Sequence, residues 1–339
     1  MKVDVDGALL ALERFLLRVK PGFATDHRLV AEAEKLSLAY TESRIIDDDA
    51  AASLGYLAHF GPRAIVAVSR ALRSLPEFSA AQQPVVVDVG AGSGASALAW
   101  LFAGARHVSL IERSGASIDL ARKLLDGRAF TTTKAPAAVA PPNLEATIAT
   151  SAFTVGEFSD DVDVRALFTR LAPKARDVVV VDAGDRPRAR RLQRLRDELV
   201  QDAGVVVYGP CGHRDPCPAL TRKRDWCHDR VEKGLPPALA KFASHVGRDD
   251  RWMSLSYLAW GRGTATSAPA VVVIGEPGKE KGRVRAPICG PAGLRFLQAL
   301  KRDRAAFDVV AGLERGARLP VPGDAEGDTW HVADPAVLT

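Results

Sequence analysis

Apolar and polar positions follow a helical period at the start of the chain and a strand-and-helix alternation further on. Leu9, Leu10, Leu12, Phe15, Leu16 and Leu17 share one side of a helix, and residues 64–75 repeat the pattern, so residues 1–80 read as an N-terminal helical region. From Pro84 the pattern changes. Residues 85–89 are an apolar run broken by one acid and predict a strand; 95–102 predict a helix, 107–111 a strand and 117–125 a helix. After a Pro/Ala-rich loop at 134–142, short strands are expected at 146–149 and 178–181, helices at 164–171 and 188–200, and a late strand at 205–208. Strands spaced by helices imply an α/β fold with a parallel, doubly wound sheet, placed here over residues 81–209.

Beyond Gly209 the alternation stops. Residues 210–315 begin rich in Cys, His, Arg and Pro, continue through an aromatic segment at 252–260, and end in a hairpin of 271–274 and 283–289 expected to complete the core. Residues 316–339 are Pro/Gly-rich and acidic and read as a loosely held tail. There is no internal repeat.

Composition narrows the class. With 47% hydrophobic and 26% charged residues, the chain of 339 can bury a core and is not disordered as a whole. No apolar run approaches the roughly 18 residues of a membrane helix. Asp4, Asp6 and Glu13 interrupt the N-terminus, whereas transit peptides avoid acids. A cytoplasmic, monomeric protein without a membrane partner is expected. The formal charge of +5 is compatible with nucleic acid without requiring it. Arg186, Arg188, Arg190, Arg191, Arg194 and Arg196 crowd one predicted helix whose apolar stripe is Leu192, Leu195 and Leu199, which would turn most of them outward. Arg222, Lys223 and Arg224 add charge just before Trp226. Such a surface is either a solvated face or a site for the phosphates of RNA.

The run Asp88-Val89-Gly90-Ala91-Gly92-Ser93-Gly94 follows a strand and opens a helix. Gly90, Gly92 and Gly94 let the backbone approach a ligand, and the helix N-terminus offers free N–H groups. NAD-binding folds carry a glycine loop too. Asp88 tips the reading toward S-adenosylmethionine, because an acid at the strand end would repel a pyrophosphate but suits a cation. Glu112 closes the second strand, 18 residues past Gly94, where a carboxylate can accept both ribose hydroxyls. A tight strand-to-helix turn with no ligand is the bland alternative. The reaction is less well marked than the fold. Ser151-Ala152-Phe153-Thr154 stands where base N-methyltransferases commonly carry an Asp/Asn-Pro-Pro-aromatic turn, and no cysteine lies where a pyrimidine-carbon methyltransferase would need its nucleophile.

All four cysteines fall late: Cys211, Cys217 and Cys227 within 17 residues, and Cys289 on the predicted hairpin. Three thiolates from a Pro/Gly-rich loop and one from a strand can close a four-ligand site. Zinc and an iron–sulfur cluster are both candidates, with His213 and His228 close enough in sequence to substitute for one ligand. The absence of a C-x2-C knuckle favours a cluster on spacing. A radical enzyme would need a C-x3-C-x2-C loop with one iron left open, which neither spacing nor count supplies.

These motifs together resemble the methyltransferase-like small-ribosomal-subunit assembly factors, known from mitochondria and with bacterial relatives, over residues 38–313. Pro210-Cys211-Gly212-His213-Arg214-Asp215-Pro216-Cys217-Pro218 and Asp225-Trp226-Cys227-His228 carry the resemblance, with the glycine loop, Val155-Gly156-Glu157, Ser256-Tyr257-Leu258, Ile288-Cys289 and Gly293-Leu294. The family often has Pro where Gly212 stands and Phe where Asp229 stands. The resemblance implies a class I S-adenosylmethionine-dependent methyltransferase-like, Rossmann-like sheet with a cysteine-rich metal-binding insertion. It implies a [4Fe–4S] cluster on Cys211, Cys217, Cys227 and Cys289, and a role in maturing the small ribosomal subunit through its ribosomal RNA. The missing presequence suggests a bacterial member. An active ribosomal RNA methyltransferase, and a zinc-stabilised RNA-binding module with a vestigial cofactor pocket, are the competing expectations.

Overall fold

The computed structural model describes residues 3–41, 53–76, 83–137, 146–158, 164, 166–167, 175–247, 251–262, 270–321 and 327–338. The helix expected at 164–171 falls for the most part outside them, as does part of the loop at 134–142. The chain divides into two compact units: residues 1–183 with 231–255, and residues 184–230 with 256–339.

The first unit opens with helices α1 (Val5–Val19), α2 (His27–Thr41) and α3 (Leu54–Leu72). Asp4 caps α1 by accepting from the Gly7 N–H, and Ser53 caps α3 through the Tyr56 N–H. Of the apolar side anticipated for α1, Leu9, Leu12, Phe15 and Leu16 are buried while Leu10 and Leu17 are exposed. Then β1 (Val85–Val89), α4 (Ala95–Phe102), β2 (His107–Glu112), α5 (Gly115–Leu124), β3 (Phe130–Lys134), β4 (Ala146–Ala152) and β5 (Ala175–Ala183) alternate. The five strands are all parallel, in the order β3-β2-β1-β4-β5. Val86, Val87, Val89 and residues 178–181 are buried, as befits strands covered on both faces.

The second unit begins with α6 (Arg186–Leu199), capped by Asp185, and β6 (Val205–Gly209). After β7 (Asp229–Glu232) the chain returns to the first unit for α7 (Pro237–His245), whose first turn donates Ala238 and Leu239 N–H groups to the Glu13 carboxylate at 2.7 and 3.0 Å. Strand β8 (Trp252–Arg262) then runs out of the first unit into the second, where residues 259–262 pair antiparallel with β6.

The rest differs from the sequence-based expectation. Strands β9 (Ala270–Val273), β10 (Gly278–Glu280), β11 (Arg283–Gly290) and β12 (Gly293–Leu300), helix α8 (Arg304–Ala311), and strands β13 (Arg318–Pro320) and β14 (Thr329–His331) form a separate six-stranded sheet. The hairpin therefore belongs to its own core rather than to the doubly wound sheet. Its burial alternates residue by residue along β11, which is the signature of a strand with one wet face. The expected tail supplies β13 and β14 to that sheet, and Leu319, Trp330, Val332 and Leu338 sit in its core.

Candidate functional site

In the first unit, the turn between β1 and α4 holds Gly90, Gly92 and Gly94 at φ of +70°, +53° and +80°. The three glycines answer different demands. A Cβ at Gly90 would collide with the Thr154 side chain, whose hydroxyl donates to the Gly90 carbonyl at 3.1 Å. One at Gly94, the N-cap of α4, would press on Ala121, Leu125 and Leu110 at 3.1–3.3 Å. One at Gly92 meets nothing within 4 Å. Gly92 is thus the position where the backbone faces open space, and its φ still favours glycine.

Glu112 ends β2 next to this turn, and its two carboxylate oxygens accept from the Gly92 N–H at 2.8 Å and the Ser114 N–H at 2.9 Å. It braces the loop from below its glycines. Each oxygen retains a second lone pair for a ligand hydroxyl. Asp88 lies fully buried beneath the loop. Its Oδ2 accepts from the Ser96 hydroxyl in α4, while Oδ1 has no hydrogen-bond partner. Burial pushes its carboxyl up to about 7 against the pull of the Ser96 hydrogen bond, and the Glu112 charge adds to the rise. Across the turn, Phe153 has φ +60°, the one non-glycine residue with positive φ among the described residues. Backbone strain at the end of β4 marks a place held by its surroundings. Ser96, Thr154 and the Phe153 conformation carry no sequence motif, and only the structure places them at this loop.

In the second unit, Cys211, Cys217, Cys227 and Cys289 line one cavity of about 280 Å³, together with His213, His228 and Trp226. The loop that presents three of these thiols has little regular structure, and side chains from α6 hold it. Arg196, 1% exposed, donates to the His213 and Asp215 carbonyls and, at 2.8 Å, to Asp197. The Asp197 carboxylate accepts the Cys217 N–H at 2.9 and 3.0 Å. Arg190 donates to the carbonyls of Ala219, Leu220, Arg222 and Asp225 at 2.8–3.2 Å. Gln193 and Ser256 both reach the Cys227 carbonyl, and Arg318 reaches that of Cys211. The arginine-rich helix is therefore not the outward row anticipated from sequence: Arg190 and Arg196 point at the cysteine loop, whereas Arg186 and Arg194 are exposed.

Burial raises all four thiols above the usual cysteine range, Cys217 to about 11 and Cys289 to about 12, and the charge of Cys211 raises both further. At Cys217 the Ala219 backbone N–H opposes the rise and Arg196 adds to that; at Cys211 and Cys289 the Arg196 charge opposes it. Burial and then the Arg196 charge lower His213, whose Nε2 stands 3.5 Å from the Cys289 sulfur. The Nδ1 atoms of His213 and His228 are buried without a hydrogen-bond partner. Trp226 stacks on His228 with ring centroids 5.6 Å apart and donates to the Gly184 carbonyl, so it packs at the cavity. Four soft donors lining one cavity, Cys217 buried and the other three half-buried, suit a thiophilic metal group, since one guanidinium cannot balance four thiolates. Among the described residues, however, no three His, Cys, Asp or Glu side chains stand ready around a single ion. The metal-binding insertion expected from sequence is, in this structure, a thiol-lined cavity.

The two departures noted at Gly212 and Asp229 both have local reasons. A Cβ at Gly212 would collide with the Ala270 carbonyl at the start of β9, and the Gly212 carbonyl accepts the Ala270 N–H at 2.8 Å. Asp229 is buried and faces Arg315 at 3.7 Å.

Among solved structures, the chain resembles a SAM-dependent methyltransferase of Leishmania major (17% identity, TM-score 0.39, covering 62% of this chain and 77% of that one). It also resembles the magnesium protoporphyrin IX methyltransferase of Synechocystis with bound SAM (13%, 0.37, 61% and 81%). A third is the ribosomal protein L11 methylase of Lactobacillus delbrueckii (16%, 0.36, 60% and 79%). No curated protein matches the chain. The family model of the mitochondrial small ribosomal subunit protein Rsm22 matches residues 50–317, most of the sequence and both units, and the chain belongs to that family.

Proposed function

We propose that the protein is a maturation factor of the small ribosomal subunit that binds S-adenosylmethionine at the β1–α4 turn and a [4Fe–4S] cluster on Cys211, Cys217, Cys227 and Cys289. The observation that carries this reading is the convergence of four cysteines, spread over 78 positions of sequence, on one cavity in a chain of the Rsm22 family. In the cofactor site, Gly92 leaves room for the ligand, Glu112 accepts from its hydroxyls, and Asp88 places a buried carboxyl under the loop. S-adenosylmethionine supplies a transferable methyl group when bound. In the cysteine site the four thiolates use every ligand position, so the group there serves stability or sensing rather than substrate activation. Arg196 offsets part of the thiolate charge, and Asp197 fixes the backbone at Cys217. The protein docks on small-subunit RNA in this reading.

Anaerobically purified protein should carry roughly four irons per chain, as a cubane on four thiolates requires. Cys→Ser at each of the four positions should abolish that iron. Deleting the gene should accumulate small-subunit precursors, and the Cys→Ser variants should fail to restore maturation. Stoichiometric zinc without iron would replace this reading by the zinc-stabilised module. Transfer of labelled methyl groups to small-subunit RNA would make the protein an active methyltransferase.

A further inference from the structure

The second sheet has a recognisable strand path. β9, β11 and β12 form an antiparallel meander, α8 follows, β13 pairs antiparallel with β9, and β14 pairs parallel with β12. With strands renumbered one to five, the order is 4-1-2-3-5, the helix lies between the third and fourth strands, and the third and fifth are parallel. That is the path of the oligonucleotide/oligosaccharide-binding barrel, whose ligand face is centred on its second and third strands. The small strand β10 sits within the loop joining the first and second. Val273, Ala286, Leu297, Val310 and Trp330 fill the inside.

A fold does not assign a function, so the face itself must carry the argument. Along β11 the buried residues are Val284, Ala286, Ile288 and Gly290, which leaves Arg283 and Arg285 on the outer face. Their cross-strand partners are Leu300 and Gln298, and Pro287 pairs with Phe296. From β14, Thr329 and His331 lie beside Phe296 and Gln298. The Arg285 guanidinium stands 3.9 Å over the Phe296 ring and reaches the Thr329 hydroxyl at 3.4 Å, while its Nε is buried without a partner. Gln298 and His331 meet at 3.3 Å. The guanidinium covers the ring, so a base stacks on this pair through the guanidinium plane, or on the ring itself once Arg285 has turned to a phosphate. Charge selects among ligands. Residues 276–302 carry seven basic and two acidic side chains, an excess equal to the formal charge of the whole chain. One of those acids, Glu280, is already paired with Arg283.

We propose that the outer face of β11 and β12 binds single-stranded RNA, with Phe296 as the stacking platform and Arg283 and Arg285 as phosphate contacts. This deepens the small-subunit reading by naming the surface and the form of RNA. The same face ends at Cys289 and Leu294, which line the cysteine cavity, so the site for the thiol-bound group and the RNA platform share two strands.

The test uses the full-length, anaerobically purified protein and fluorescein-labelled (U)12, with a 12-base-pair RNA duplex as the comparison, by anisotropy. (U)12 should bind more tightly than the duplex. Phe296→Ala should weaken it about tenfold, within the range seen for one lost stacked base. Arg283→Glu with Arg285→Glu should weaken it more and reduce the slope of log affinity against log salt by about 1.4, for two lost contacts to a single strand. Circular dichroism and the visible spectrum guard against misfolding, and Arg283→Ala alone, at a half-buried position, gives a milder variant with a smaller loss. If all variants bind like wild type, or duplex and (U)12 bind equally, the proposal is overturned. Cosedimentation with small subunits separates the two readings. Variants that cosediment and bind (U)12 like wild type defeat the barrel-face proposal alone, whereas wild type that binds (U)12 through these residues but never cosediments defeats the small-subunit reading alone.

Discussion

The glycine turn of the first unit and the cysteine loop of the second both hold a stretch of backbone open, but with different materials. At the turn, main-chain geometry does the work: three positive φ values, a carboxylate bridging two N–H groups, and neighbours within a few residues of a strand end. At the cysteine loop, long side chains from α6 reach up to 35 positions along the sequence to carbonyls that no strand or helix satisfies. Buried carbonyls need donors, and arginine provides five in a fixed fork. The first construction tolerates no side chain at chosen positions. The second depends on keeping particular ones.

That contrast is broken most severely at Arg196. Arg196→Leu should cost about 3–5 kcal/mol, the penalty of removing one partner from a buried charged network, and should lower the iron content expected of the proposed cluster. Arg196→Lys should rescue little, because an ammonium cannot span two carbonyls and a carboxylate in the same plane. Urea denaturation with metal analysis checks both.

Asp88 gives the next effect, and it is dependent on pH. Its pKa of about 7 stands above the ordinary 3.8, so the folded state binds the proton more tightly than the unfolded one. The native state is favoured below about pH 4, and its stability falls as pH climbs through 7, by up to about 4 kcal/mol. Asp88→Asn should flatten that decline, raising the melting temperature at pH 8 and leaving it nearly unchanged at pH 4. A pH series of thermal melts that shows parallel curves for the two proteins would refute the assignment.

Arg190→Ala removes four hydrogen bonds to loop carbonyls and should destabilise by about 1.5–3 kcal/mol. The exposed Arg194 changed to Ala should stay within about 0.5 kcal/mol. Equal losses would mean that the clamp is not specific to Arg190. At the turn, Gly90→Ala meets both an unfavourable φ and the Thr154 side chain, whereas Gly92→Ala meets the φ alone. The former should cost about 1–3 kcal/mol and the latter about 1 kcal/mol. S-adenosylmethionine titration should nonetheless show the greater loss of binding per unit of stability at Gly92, where the added methyl occupies open space.

The turn was legible because its signals are local. An apolar strand, an acid, three glycines and an apolar helix stand in sequence order, and α4 occupies the span read from the pattern. The cysteine loop was legible only as a set of donors. Its frame was misread because six arginines in one helix suggest a solvated surface. Yet Arg196 follows Leu192 by four and Ala189 by seven, which places it on the buried stripe, and all three are buried. The second sheet was obscured by a different cause. Its closing strands are three residues each and lie in a Pro/Gly-rich segment, so neither length nor alternation distinguishes them from loop. The alternation along β11 was the one available sign of a strand wet on one side.

The path of the chain through its two units has a consequence for inheritance. The backbone passes from one to the other after residues 183, 230 and 255, so no single break in the gene separates the two units cleanly. A fragment long enough to complete the first would carry Cys211, Cys217 and Cys227 without Cys289. Such a piece would expose an incomplete set of thiols to oxidation. Recombination at one point therefore cannot lend the unit of the glycine turn without part of the cysteine loop, whereas the late sheet, contiguous from Ala270 to His331, can be carried off whole but without Cys211, Cys217 and Cys227.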